Sequence, residues 1–305
     1  MANTVRLFFR IGYLGDEFHG SQIQPDVKTV QGELIRVFRS LKWLSKEDGE
    51  HYLVLSSRTD AGVHVRINGG IVDMNADLWA VLTPRKIIRA VDDRLDTNIA
   101  FLTVEEVDKD YNPRMALHRV YRYRLEGMEF WIEPDHKKFE SWLKLFVGTY
   151  DARNFARLEE GKNPMRTIIS ASPWFENGRL VGFEIIGEAF LWNQVRRVAN
   201  ALFQLATGEL TAGEIQAAID EPLTPVDFGV APSQWLILWG VEWTEFPLPE
   251  STHSTLFSPP PQGRSAERTK MGRWQEAAQH EMKTMLYNEW AEIGTLDDAY
   301  HTNSK

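Results

Sequence analysis

Val5, Leu7, Phe9 and Ile11 alternate with Arg6, Phe8, Arg10 and Gly12, the period-two signature of a half-buried strand. A loop rich in Gly, Gln and Asp follows over 12–26. Thr29 is a fit N-cap for a helix over 30–44, with Val30, Leu34, Val37, Phe38 and Leu41 on one stripe. Short strands are predicted over 52–55 and 70–74, and 56–64 reads as a polar loop containing Gly62. Thr83-Pro84 starts a helix running to 95, because proline suits the first helical position. Strands over 99–104 and 119–125 precede a helix over 136–147 that carries Phe139, Trp142, Leu143 and Phe146. Strands over 166–175 and 180–186 flank Asn177-Gly178, a hairpin turn signal. Helices over 191–207, stopping at Gly208, and over 211–219 lead to a closing strand over 235–243.

Strands alternating with helices indicate an α+β or α/β chain with helices on one face of a sheet. The two halves share a strand-helix-strand rhythm without an exact repeat, which divides the chain into 1–108, 109–246 and a tail, 247–305. In the tail, Ser258-Pro259-Pro260-Pro261 reads as a linker. Residues 265–290 form one amphipathic helix with Met271, Trp274, Ala278, Met282, Met285 and Leu286 on a single stripe. The ordinary reading of such a stripe is a helix packed on its own chain or a dimer mate. A membrane surface or a separate partner is the alternative.

Composition narrows the class. With 305 residues, 43% of them hydrophobic, the chain can bury a full core, over two domains or one large one. No apolar run reaches the ~18–20 residues of a membrane span, and no signal peptide is expected. The absence of cysteine removes disulfides, thiolate nucleophiles, iron–sulfur clusters and Cys-ligated zinc, and points to the cytoplasm. A net charge of −9 argues by itself against a nucleic-acid partner, so the local placement of charge has to decide.

Several chemistries drop out. There is no G-x-x-x-x-G-K-[ST] phosphate loop and no strand-flanked G-x-G-x-x-G. His280-Glu281 lacks the second histidine of a zinc protease helix. Asp60 and His64 have a metal-ligand spacing, but Gly62 between them argues against a helix and no third ligand follows, so no metal is expected. Asp60-Ala61-Gly62 has no second copy to complete an aspartic protease pair.

Three segments remain. Ser57-Arg58-Thr59-Asp60-Ala61-Gly62-Val63-His64 sets a carboxylate beside a guanidinium after a buried strand. Arg119-Val120-Tyr121-Arg122-Tyr123-Arg124 interleaves bases and rings, so Tyr121 and Tyr123 share one strand face and Arg122 and Arg124 the other. That pattern suits stacking on nucleobases and pairing with phosphates. Phe190-Leu191-Trp192-Asn193-Gln194-Val195-Arg196-Arg197 lies in a stretch, 189–208, without any acid, and a half-buried Arg196 needs a carboxylate or phosphate partner, with Asp60 a candidate.

Together these segments resemble the TruA family of tRNA pseudouridine synthases, in its archaeal and eukaryotic style. The resemblance runs from about Val5 to Trp243, and Arg58–His64 is similar to the family's signature loop. Tyr13, Gly15, Phe18, Gly20, Gln22 and Gln24 match its opening pattern, Y-x-G-x-x-[FY]-x-G-x-Q-x-Q. Two positions depart from it: Ser21 stands where tryptophan is usual in bacterial members, and Trp235 stands where the closing motif has glycine.

The resemblance implies two ferredoxin-like α+β halves sharing one mixed or antiparallel sheet with a central basic cleft, and a homodimer bound to tRNA. It implies isomerisation of uridine to pseudouridine at positions 38–40 of the anticodon arm, with no cofactor. Asp60 is then the nucleophile, with Arg196 as its ion-pair partner, and Tyr121 stacks on the uracil. Arg58, His64 and Arg66 lie near the flipped nucleotide, and Arg58, Arg66, Arg114, Arg119, Arg122, Arg124, Arg196 and Arg197 supply local positive charge. The alternatives are a relative acting at other tRNA positions, a catalytically silent RNA-binding protein on the same scaffold, or an unrelated hydrolase using Asp60.

Overall fold

The computed structural model describes residues 3–44, 53–251, 257–261 and 268–302, the side chains of 268–270 and 295–302 excepted. It divides into two compact units. The first comprises Met1–Leu117, Gly240–His253 and Thr284–Lys305, the second His118–Trp239 and Ser254–Lys283. The expected α+β class is present, and each unit builds a largely antiparallel sheet.

The first unit runs β1 (Thr4–Tyr13), α1 (Val30–Ser40), β2 (Leu53–Leu55), β3 (His64–Asn75), α2 (Ala76–Val81), α3 (Pro84–Asp92) and β4 (Ile99–Val107). All its strand pairs are antiparallel, in the order β4-β1-β3-β2. That is the split β-α-β arrangement of ferredoxin-like folds. One face is covered by α1 and α3, which bury Leu34, Val37, Phe38, Ile87 and Val91. Phe9 and Phe101 stack beneath them with ring centres 5.3 Å apart. The Thr29 hydroxyl caps α1 as its sequence predicts. The helix stops at Ser40 rather than 44: Lys42 turns left-handed (φ 61°) and the Trp43 amide donates to the Phe38 carbonyl.

The second unit repeats the scheme with β5 (His118–Tyr123), α4 (His136–Lys144), β6 (Gly148–Asp151), β7 (Met165–Glu176), β8 (Arg179–Gly187), α5 (Gln194–Thr207) and α6 (Ala212–Asp220). β9 (Leu236–Glu242) gives it Leu236–Trp239, and the order is β9-β5-β8-β7-β6. Asn177 and Gly178 are both left-handed, as the tight hairpin between β7 and β8 requires. α5 ends at Gly208 (φ 79°), and Thr211 and Glu214 form a capping box for α6. The short α2 and β6 have no counterpart in the sequence prediction.

The tail helix α7 (Arg268–Thr302) belongs to the second unit up to Lys283 and to the first from Thr284. Its stripe of Trp274, Ala278, Met282, Met285 and Leu286 is buried, which settles the choice for packing on its own chain; Met271 is only half-buried. The predicted first residues, 265–267, lie outside the described residues. In the first unit, a Cβ on Gly12 would overlap the Trp290 ring, and the Trp290 indole N–H donates to the Arg66 carbonyl at 2.9 Å. Glycine at position 12 therefore gives the tail helix its seat on β1. Among the described residues no helix is long and apolar enough to cross a membrane.

Candidate active site

In the first unit the loop from β2 to β3 carries Asp60, and main-chain and side-chain contacts fix it. The Ser57 amide donates to the Asn68 side-chain oxygen (3.2 Å), and the Asn68 amide group donates back to the Ser57 carbonyl (2.8 Å). The Gly62 amide (φ 81°) donates to the Gly15 carbonyl at 3.1 Å, and the Val63 amide closes a turn on the Asp60 carbonyl. Gly15 lies so close beneath that a Cβ there would sit 2.3 Å from the Val63 carbonyl oxygen. Gly20, left-handed at φ 98°, is similarly tight against the Thr59 carbonyl.

The opening motif is thus the brace of the Asp60 loop. Tyr13 and Thr59 share a hydroxyl hydrogen bond of 2.8 Å. Burial pushes the Tyr13 phenol up to about 12, so it stays neutral across the physiological range. Ser21 has a role that the sequence pattern left unassigned. Its hydroxyl accepts from the Thr59 amide (2.9 Å) while its own amide donates to the Thr59 carbonyl (3.1 Å). On this loop Asp60 is partly exposed and Arg58 exposed.

His64 and Arg66 turn inward instead. His64 is fully buried; its Nδ1 accepts from the Gly15 amide (3.2 Å), and Nε2 lies 3.9 Å from the Asp16 carboxylate. Arg66 is buried against Glu289 of α7 at 2.6 Å, and Ser251 donates to the other Glu289 oxygen.

In the second unit the ring of Tyr121, buried on β5, meets the edge of Phe190 at 5.1 Å. Arg119 donates to the Glu188 carbonyl at 2.6 Å, and burial pulls its guanidinium below the usual arginine range. The turn into α5 is built by side chains. The Leu191 amide donates to the Gln194 side-chain oxygen (2.8 Å), and Asn193 is left-handed (φ 61°). Arg196 is aimed by its Nε to the Ala231 carbonyl (2.7 Å) and by Nη1 to the Asn193 oxygen (3.3 Å). Trp235, the second departure, is buried flat against Gly127, where any Cβ would lie 2.4 Å from the indole; the bare Gly127 makes room for it.

The broad basic surface expected from the sequence is narrower. Tyr123 is fully buried with its hydroxyl donating to the Pro232 carbonyl (2.9 Å), so it does not share an open face with Tyr121. Arg122 pairs with Glu184 (2.7 Å) and lies on the Trp239 ring, 3.8 Å from its centre. Arg124 is buried between Glu126 (2.7 Å) and Glu281 (3.1 Å). Arg66 is held by Glu289 and Arg197 by Asp227. A buried guanidinium is costly unless it is paired and hydrogen-bonded, and Glu289 lies 223 positions from Arg66, beyond the reach of local pattern. Four of the eight arginines are thereby committed to acids within the protein.

With this geometry in place, comparison with known proteins gives the class. A family model described as tRNA pseudouridine synthase matches residues 143–244. The tRNA pseudouridine synthase A of Methanosarcina barkeri is 31% identical over 242 residues, covering 79% of this chain and 86% of the relative. Those of Methanoculleus marisnigri and Thermococcus sibiricus are 35% and 34% identical, over 78% of this chain and 83% and 84% of their own lengths. The chain belongs to the TruA family of tRNA pseudouridine synthases, isomerases by reaction class.

Proposed function

We propose that this chain converts uridine to pseudouridine in tRNA, at positions 38–40 of the anticodon arm, with Asp60 as the nucleophile. The observation that carries the reading is the Asp60 loop: a partly exposed carboxylate on a turn locked by Tyr13, Gly15, Gly20, Ser21 and Asn68. A fixed carboxylate can attack an electrophilic carbon and divide one hard step into two. The reaction exchanges the bond from C1′ to N1 for one from C1′ to C5, and the C5 proton is lost as N1 gains one. Atoms and electrons balance without a cofactor.

A uridine in a stem must first leave the stack, at a cost of a few kcal/mol. Tyr121 stacks on the uracil and assists loss of the C5 proton, directly or through water; a neutral phenol is a weak base, so stacking is its larger role. Arg196 contributes a guanidinium that two neighbours already orient. Arg58, exposed on the loop, contacts the flipped nucleotide or the space it vacates. His64 and Arg66 brace the loop and β3 from within. The enzyme acts in the cytoplasm as a homodimer.

Sequencing-based mapping of pseudouridine in tRNA incubated with the protein tests this. New pseudouridine at 38, 39 or 40 is the expected result. Modification elsewhere would move the target and keep the chemistry, and binding without modification would leave an RNA-binding protein on this scaffold.

A further inference from the structure

Trp192 is the most exposed tryptophan of the chain, at 42%. An indole left in water forgoes burial that most of the other tryptophans here obtain. This one is also held still. The Arg157 amide donates to the Trp192 carbonyl at 2.8 Å, the two residues form an antiparallel bridge, and the Arg157 guanidinium lies 4.2 Å over the indole ring. Arg157 is itself exposed and has no carboxylate partner among the described residues, unlike Arg66, Arg122, Arg124 and Arg197. Its charge remains available to a phosphate.

The chain around Trp192 is the turn already described. Two residues before it, Phe190 touches the Tyr121 ring, and one residue after it Asn193 makes the left-handed step that orients Arg196. Trp192 is therefore fixed by the same turn that sets Phe190 against Tyr121 and orients Arg196.

We propose that Trp192 and Arg157 form a stacking platform for an unpaired nucleobase of the RNA substrate beside the reacting uridine, with Arg157 turned to the adjoining phosphate. The proposal rests on the pseudouridine synthase reading. Flipping a uridine leaves its neighbours without a stacking partner, and an aromatic face replaces that partner for any base. A guanidinium over the indole adds cation–π attraction and pre-orders the ring before RNA arrives.

The test compares Trp192→Leu, Trp192→Phe and Arg157→Gln with the wild type in steady-state pseudouridine formation. Each variant is first checked for a wild-type melting curve, which an exposed position should give. Trp192→Leu should raise KM for tRNA on the order of 10-fold while leaving kcat within about 3-fold, because it keeps an apolar side chain and loses the π-face. Trp192→Phe should retain most of the affinity, and Arg157→Gln should raise KM with a shallower salt dependence. In an Asp60→Asn background, tRNA should quench less fluorescence from Trp192→Phe than from the unsubstituted protein. Unchanged KM in Trp192→Leu, equal losses in the Leu and Phe variants, or a loss confined to kcat would each overturn the platform. Failure of the wild type to bind or modify tRNA would instead overturn the reading beneath it.

Discussion

Around Asp60 the main-chain atoms of Gly15, Gly20, Ser21, Thr59 and Gly62 are pressed together with no room for a Cβ at position 15, and the side chains of Tyr13, Ser21 and Asn68 lock them there. Along 187–197 no such crowding of main chain is present at the turn among the described residues, and the site's groups are oriented by side chains: Gln194 on Leu191, Asn193 on Arg196, Phe190 on Tyr121. A crowded main-chain clamp resists change of shape; a side-chain clamp gives way to change of side-chain chemistry. The carboxylate assigned to bond-making sits in the rigid kind. The groups assigned to grip the nucleotide sit in the kind that substitutions can tune.

The largest effect should come from the buried ion pair of Arg66 and Glu289. Glu289→Gln leaves Arg66 buried without its carboxylate, at a cost of about 3–5 kcal/mol, whereas Arg89→Gln breaks the exposed pair with Asp93 and should cost under about 1 kcal/mol. Urea unfolding of both variants measures the contrast. Next comes Gly15→Ala. Its Cβ would meet Val63 main-chain atoms, so it should cost about 1–3 kcal/mol and reduce turnover on the order of 100-fold by moving Asp60. Gly208→Ala meets open space at φ 79°, should cost about 1 kcal/mol and should leave turnover unchanged.

Asn193 separates backbone from side chain in the other clamp. Asn193→Ala should lose about 1–2 kcal/mol to the left-handed backbone. Asn193→Gly should recover the stability but not the hydrogen bond to Arg196, so KM should stay raised in a protein that melts normally. The smallest effect concerns pH. Burial raises the Tyr13 phenol to about 12 and moves those of Tyr123 and Tyr150 upward as well. The folded chain keeps these protons where the unfolded chain has released them, so stability is full below pH 10 and falls as pH rises from 10 toward 12. Phenolate absorbance and unfolding should therefore rise together above pH 10, and Tyr13→Phe should make the fall shallower.

The sequence made some of this legible and concealed the rest for definite reasons. The Asn177-Gly178 turn, the Gly208 stop and the α7 stripe are local patterns, and each appears where expected; β1 is also in place, but Phe8 and Gly12 are buried along with Leu7, Phe9 and Ile11, so the strand is covered on both faces rather than half-buried. The first half of β3 was hidden because His64, Arg66 and Asn68 look like loop residues; each is buried on a polar partner, Gly15, Glu289 or Ser57, supplied by distant chain. Arg122 and Arg124 misled in the same way, since Glu184 and Glu281 satisfy them. The opening motif was visible as a pattern, but its purpose emerged only from the Cβ positions that Gly15 and Gly20 forbid.

The most direct measurement is release of tritium from tRNA labelled at uracil C5, wild type against Asp60→Asn. The account predicts steady release by the wild type and a loss of at least roughly 1,000-fold in the variant, with tRNA binding retained. Release by Asp60→Asn within a few-fold of the wild type would contradict it.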